Sequence, residues 1–282
     1  MENLKKQIKQ AVDAFKSGRI LEAEDLTRKL ISSNPKVVFL YNLMGLILSA
    51  QKEVDQALEY YEKGIKIDPN FATIYNNLGL LFANDKSDNT KAENFYKKSI
   101  SLNYKNPEAH NNLGTLYKSL DKFKEAISCY KEAVSIDPKF IHAYHNLGNA
   151  YTAMGNPRRG IQILSPWIDR QEISSSTRSS LWLLAARAFT QLGETTAADE
   201  GYENAAQGSG SAAALAAYLI ADAHHDADRS RDASVAFERA YRRFSGSSYG
   251  SRSLERLALL DYHEGRYVDA KARLDEYRRR YP

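Results

Sequence analysis

The chain has 282 residues, of which 43% are hydrophobic and 26% are charged, and its formal net charge is +4. These values are typical of a folded protein, and no apolar run is long enough to span a bilayer. Because the start of the chain has no signal-peptide pattern, we expect a soluble, cytoplasmic protein without a membrane partner. Positive and negative residues alternate along the chain, which argues against a nucleic-acid partner. The single cysteine, Cys129, excludes an internal disulfide and a cysteine-rich zinc site.

Small residues recur along the chain at nearly equal intervals. They are Ala23, Ala57, Ala92, Ala126, Gly160, Ala198, Ala233 and Ala270. The steps between them are 34, 35, 34, 34, 38, 35 and 37 residues, and a bulky residue follows four places after each except the first. A second small residue, such as Gly45 or Gly114, lies twelve places earlier, or thirteen in the third repeat. Antiparallel helices need small residues where they cross closely, so this spacing predicts about eight helix-turn-helix units.

The predicted units follow one another without long gaps. The first five units begin near Leu4, Val38, Ala72, Pro107 and Ile141. Prolines that can end a second helix are Pro35, Pro69, Pro138 and Pro282. Proline fixes φ and lacks an N–H, so it cannot continue a helix. We expect Met1 to Ser17 to cover one end of the array and Tyr262 to Pro282 the other.

The two most regular units are VFLYNLMGLILSAQKEVDQALEYYEKGIKIDP, at 38–69, and AHNNLGTLYKSLDKFKEAISCYKEAVSIDP, at 109–138. They resemble the tetratricopeptide-repeat family, whose 34-residue unit has a leucine-glycine pair in the first helix, a small residue in the second and a proline at its end. The resemblance covers nearly the whole chain and is weaker after the fifth unit. It implies an all-α, right-handed superhelical solenoid that binds protein or peptide partners.

The basic residues change identity near residue 157. The chain has 19 lysines and 2 arginines from Met1 to Ala150, but 1 lysine and 17 arginines from Tyr151 to Pro282. Lysine and arginine are nearly equal as helix formers, so folding does not require this change. We interpret it as a fusion of two arrays, 1–156 and 157–282, engineered through a continuous series of helices. The alternative is a natural gene with uneven composition, because repeat arrays recombine.

The two parts resemble different proteins. The NNLG signatures of the first part resemble repeat regions beside sulfotransferase or glycosyltransferase domains, which implies a regulatory or substrate-recruiting segment. The last stretch, HEGRYVDAKARLDEYRRRYP, resembles repeats of bacterial envelope-assembly proteins, so its parent could be periplasmic. Neither kind of catalytic domain is recognisable in this sequence.

Asparagines and histidines of the first helices are the candidate peptide-groove residues. They are Asn42, Asn76, Asn77, Asn111, Asn112, His142, His145, Asn146 and Asn149. An asparagine amide both donates and accepts, so a row of amides can hold an extended peptide backbone. The alternative is that the asparagines only solvate the helix face. Among glycosyltransferase relatives a similar ladder binds substrate, and Asn77, Asn112 and Asn146 match it.

Other candidate sites are weaker. His142 and His145 are three residues apart, but no third metal ligand is positioned by the sequence, so we predict no metal site and no cofactor. A clamp for two carboxylates needs lysine or arginine beside asparagine on successive first helices. Asn112 and Lys118 lie on one first helix, but the other first helices of the N-terminal part have no matching cations, so we predict no such clamp. Tyrosines such as Tyr61 fall at packing positions, which disfavours a stacking platform.

No nucleophile elbow, HExxH motif or phosphate-binding loop is present, so we predict no enzymatic activity. The predicted function is a scaffold for a protein or peptide partner, and end-to-end pairing of two chains stays open.

Overall fold

A computed structural model describes residues 2–282 and shows sixteen α-helices over them, without a strand. The helices are α1 (Glu2–Lys16), α2 (Ile20–Ser33), α3 (Val38–Ala50), α4 (Val54–Ile67), α5 (Ala72–Asn84), α6 (Asn89–Leu102), α7 (Pro107–Ser119), α8 (Phe123–Ile136), α9 (Ile141–Ala153), α10 (Pro157–Ile168), α11 (Ser175–Leu192), α12 (Thr195–Gln207), α13 (Gly210–Asp226), α14 (Ser230–Phe244), α15 (Ser248–His263) and α16 (Tyr267–Arg280). The all-α class and the eight helix-turn-helix units are therefore confirmed. Met1, at the start of one predicted end cap, lies outside the described residues.

The crossing of the two helices in a unit depends on the glycine of the first helix. A Cβ added to Gly45 would lie 2.3 Å from the ring of Tyr61, and one added to Gly79 would lie 2.5 Å from the ring of Tyr96. These rings are 1% and 2% exposed. The bulky residue that lies four places after the small residue of the second helix therefore packs on the glycine of the first helix, as the spacing predicts.

The ends of the second helices agree with the predicted proline positions. Helix α2 ends at Ser33 and α4 ends at Ile67, each two residues before a proline. Helix α7, the first helix of its hairpin, starts at Pro107, where a missing N–H costs no hydrogen bond. The side chain of Asn106 accepts hydrogen bonds from the backbone N–H groups of Glu108 and Ala109.

The residues form two compact units, Met1–Ala143 (unit 1) and Tyr144–Pro282 (unit 2). In unit 1, the core between the first hairpins includes Ala11, Ala23 and Leu40, all with no exposed surface. In unit 2, Phe237 packs with Leu254 in the core between the last hairpins. Each core lies between consecutive hairpins, so neighbouring hairpins stabilise one another in turn.

Helix α10 is the shortest helix and contains Pro166 in its interior. The helix nevertheless continues to Ile168, and Trp167 is only 6% exposed. The Trp167 ring packs 4.7 Å from the ring of Tyr144 and 4.1 Å from the guanidinium of Arg170. Neighbouring units have alanine, serine or glycine at the position of Trp167. The same unit is followed by the longest step of the repeat, 38 residues. None of the described helices is both long enough and apolar enough to cross a membrane.

Candidate functional site

Asparagines of successive first helices in unit 1 are bonded to one another. The Asn77 side-chain amide on α5 donates to the Oδ1 of Asn42 on α3, at 2.8 Å. One unit further on, the Asn112 amide on α7 donates to the Oδ1 of Asn76 on α5, at 3.1 Å. Two neighbouring asparagines on α5 thus reach in opposite directions, one to the preceding first helix and one to the following one.

Burial makes these bonds structurally important. Asn42, Asn76 and Asn77 are only 3%, 4% and 7% exposed, whereas Asn111 and Asn112 are half-buried. A buried amide without a partner costs about 1–3 kcal/mol, so each bond holds the spacing between first helices. The repeated NN pair was the signal in the sequence, but only the packing of α3, α5 and α7 shows which amide meets which.

Replacing Asn77 with alanine is expected to lower the free energy of unfolding by about 1–2 kcal/mol, because the carbonyl of Asn42 then loses its buried donor. Urea denaturation followed by circular dichroism measures the change. The double variant Asn42→Leu and Asn77→Leu removes both polar groups and should recover part of the loss. Equal stability of wild type and Asn77→Ala would show that the bond contributes nothing.

The remaining candidate residues lie on α9. His142 is exposed and its ring meets the ring of Phe140 edge-on at 6.2 Å, within unit 1. His145, Asn146 and Asn149 are half-buried and belong to unit 2. No group of three or more histidine, cysteine, aspartate or glutamate side chains among the described residues is arranged to hold a metal ion.

His145 and Asn149 line a cavity of about 260 Å³ in unit 2, which we call the first-helix cavity. Its other lining residues come from α11, α13 and α15, and they are Ser180, Leu183, Leu184, Arg187, Ser211, Ala212, Leu215 and Tyr249. Arg187 is exposed and has no ion-pair partner among the described residues. The cavity therefore combines an apolar floor, hydroxyl and amide groups, and one available positive charge. The sequence predicted two of its members and missed the rest, because the second half has few asparagines to mark the face.

The cysteine, tyrosine and lysine with shifted pKa values on α7 and α8 are packing residues. Burial raises the pKa of the Cys129 thiol to about 11, so the nucleophilic thiolate is scarce at neutral pH. Burial also raises the pKa of Tyr130 to about 12, and its ring has no exposed surface. Lys118, on the last turn of α7, is half-buried, and desolvation lowers the pKa of its ammonium group. These shifts follow from burial, and no pair of a nucleophile and a base accompanies them.

The fold and these surfaces define the chain as an all-α helical-repeat protein. Models of the tetratricopeptide repeat match residues 72–106, 107–140 and 129–162, and a model described as TPR repeat matches residues 45–86. Residues 45–162 therefore consist of tetratricopeptide repeats, and repeats of this kind support a role in protein–protein interaction.

Relatives of known name share part of the array. The photosystem I assembly protein Ycf3 of Rippkaea orientalis is 33% identical over 98 residues, which are 33% of this chain and 56% of that protein. The mitochondrial import receptor subunit TOM70 of Mus musculus is 29% identical over 43% of this chain and 21% of the receptor. An uncharacterised protein ycf37 of Pyropia yezoensis is 31% identical over 29% of this chain and 45% of its own length. The chain thus spans only about a fifth to just over half of these relatives.

Solved structures share the fold over longer stretches. The type IV pilus biogenesis factor PilW has a TM-score of 0.63 at 19% identity, over 72% of this chain and 92% of PilW. A tetratricopeptide-repeat protein from Parabacteroides merdae also has a TM-score of 0.63 at 19% identity, over 92% of this chain and 99% of its own. At these identities the likeness establishes the helical-repeat fold alone.

Proposed function

We propose that the chain is a scaffold without catalytic activity that binds an extended segment of a partner protein on the faces of its first helices. The observation that carries the proposal is the first-helix cavity of unit 2. Its floor of Leu183, Leu184 and Leu215 suits one apolar side chain of the partner. Its polar groups and Arg187 would fix the orientation of the segment, because Arg187 attracts an acidic side chain or a terminal carboxylate.

The half-buried Asn111 and Asn112 of unit 1 offer a second place for the same kind of segment. An asparagine amide has two N–H groups and two lone pairs, so one bond to a neighbour leaves further hydrogen-bonding capacity. The bonds of Asn77 to Asn42 and of Asn112 to Asn76 also fix the orientation of the amides. Because Asn42, Asn76 and Asn77 are buried, Asn112 is the member of these two pairs that can contact a peptide. Its bond to Asn76 fixes its amide and would lower the side-chain entropy lost on binding.

The proposal is tested by photo-crosslinking and then by direct binding. Benzoylphenylalanine at Ser211, in the first-helix cavity, should crosslink a partner from the source cell, whereas the same group at the exposed Ser165 of α10 should not. The crosslinked segment is identified by mass spectrometry and synthesised. Calorimetry should then show binding to wild type and at least tenfold weaker binding to Arg187→Glu.

The matched control is Arg231→Glu, at an exposed position of α14 outside the cavity, which should bind the segment as wild type does. Equal weakening by both charge reversals would attribute binding to overall charge. Unchanged affinity in Arg187→Glu, or a crosslink that forms equally at Ser165, would contradict the proposal.

A narrower candidate is that the bound partner is a subunit awaiting incorporation into a larger complex. The specific observation is the 33% identity to a photosystem I assembly protein over 98 residues. Fusion of two arrays, 1–156 and 157–282, fits either candidate, and its support is the abrupt replacement of lysine by arginine. A recruiting segment of a sulfotransferase or glycosyltransferase would use the same surfaces, with the catalytic domain elsewhere.

A further inference from the structure

Unit 2 has a second and larger cavity, of about 530 Å³, which is lined by different residues from the first. Its walls are α12 and the C-terminal half of α13, with Thr190 at the end of α11 and Arg229 before α14. We call it the acidic cavity. It shares no residue with the first-helix cavity, so it is independent of the function proposed above.

The acidic cavity lies beside a repeat position that is less buried in this unit than in others. In each unit except the first, a bulky residue lies four places after the recurring small residue of the second helix. This residue is Tyr61 after Ala57 and Tyr130 after Ala126, and the two tyrosines are 1% and 0% exposed. The equivalent Tyr202 of α12 is only half-buried and lines the cavity. The cavity therefore opens beside a ring that is less buried than the rings of Tyr61 and Tyr130.

The charges on the cavity walls are mostly negative. Asp199 and Glu203 lie one turn apart on α12, are exposed and have no ion-pair partner among the described residues. Like charges at this spacing repel each other, so a cation between them would stabilise the helix. Asp222 and Asp226 line the facing helix α13; Asp222 is already paired with Arg256 at 3.2 Å.

The other lining groups suit the stem of a long basic side chain. Leu219, Ile220 and Ala223 of α13 form an apolar wall. The Nδ1 atom of His224, which also lines the cavity, is buried and has no hydrogen-bond partner among the described residues. Arg229 is the only lysine or arginine in the lining, against four carboxylates.

We propose that the acidic cavity receives a lysine or arginine side chain of a partner protein. The aliphatic stem of that side chain packs on the apolar wall of α13, and its charged head lies between Asp199 and Glu203. Lysine and arginine bury their stems along apolar surfaces while their heads stay among charges, which is the combination that this cavity offers.

The probes are two capped tripeptides, acetyl-Ala-Lys-Ala-amide and the same peptide with norleucine, which keeps the stem but lacks the charge. Titration of the full chain is followed by ¹H–¹⁵N NMR. The lysine peptide should shift amides of α12 and α13 and bind at least tenfold more tightly than the norleucine peptide. Binding should weaken as salt is raised, because the carboxylates are exposed.

Variants separate the cavity from the general charge of the surface. Asp199→Asn with Glu203→Gln should weaken lysine-peptide binding at least tenfold, and Ala223→Leu should weaken it by filling the apolar wall without a change of charge. The matched control, Glu172→Gln with Glu200→Gln, removes two exposed carboxylates outside the cavity and should bind as wild type does.

Three results would overturn the proposal. They are equal binding of the two tripeptides, equal losses in the cavity and control variants, and the absence of shifts in α12 and α13. Circular dichroism of each variant establishes that it is folded, so a loss of binding reports on the cavity.

Discussion

Replacing Gly114 with leucine is expected to lower the free energy of unfolding by about 3 kcal/mol, although leucine is the better helix former. A Cβ at Gly114 would lie 2.7 Å from the ring of Tyr130, and that ring has no exposed surface into which it could move. The gain in helix propensity is about 0.8 kcal/mol, so steric overlap dominates. Urea denaturation followed by circular dichroism measures the total effect, and hydrogen exchange in α7 and α8 locates it.

Two further variants test the cause of that loss. Ser128→Leu adds the same side chain at an exposed position of α8 and should change stability by less than about 0.5 kcal/mol. Combining Gly114→Leu with Tyr130→Ala should cost less than the sum of the single changes, because the truncated residue leaves space for leucine. Additive losses in the double variant would show that the glycine and the ring do not oppose each other.

The regular units could be predicted from the sequence because their packing depends on local spacing. The starts of α3, α5, α7 and α9 coincide with the predicted positions Val38, Ala72, Pro107 and Ile141. A glycine with a bulky residue sixteen or seventeen places later marks one hairpin, and within each unit a hairpin contacts the next one along the chain. Fold class and repeat number therefore follow from the pattern alone.

The candidate site was less predictable because its properties depend on contacts between hairpins. The asparagines of α3 and α5 could be identified as a row, but their mutual bonds and burial depend on how closely first helices approach. Arg187 carries no motif, and its importance arises only from the apolar residues around it. The acidic cavity is still harder to predict, since the pattern predicts a buried ring at Tyr202, whereas Tyr202 is half-buried and lines the cavity.

Asp261 is a further residue that the pattern could not identify. It lies three places after Ala258, where earlier units have Tyr117 or Tyr151, yet it is only 3% exposed. Its carboxylate accepts from the Nε of Arg266 at 2.9 Å and from the Nε of Arg273 at 2.7 Å. Arg273 in turn contacts Glu238 of α14 at 2.6 Å, so the network joins the last two hairpins.

Replacing Asp261 with alanine is expected to lower the stability of the last hairpin by about 2–3 kcal/mol. Removing one partner of a buried ion pair typically costs about 3–5 kcal/mol, but 41% of the Arg266 side chain and 29% of the Arg273 side chain are exposed, so water partly replaces the lost carboxylate. Hydrogen exchange should accelerate in α15 and α16, because the network of Asp261 connects these two helices to each other and to α14. The control, Asp275→Ala, removes an exposed carboxylate of α16 and should change exchange little. Unchanged protection in Asp261→Ala would mean that apolar contacts of Phe237 and Leu254, rather than this network, hold the last hairpin in place.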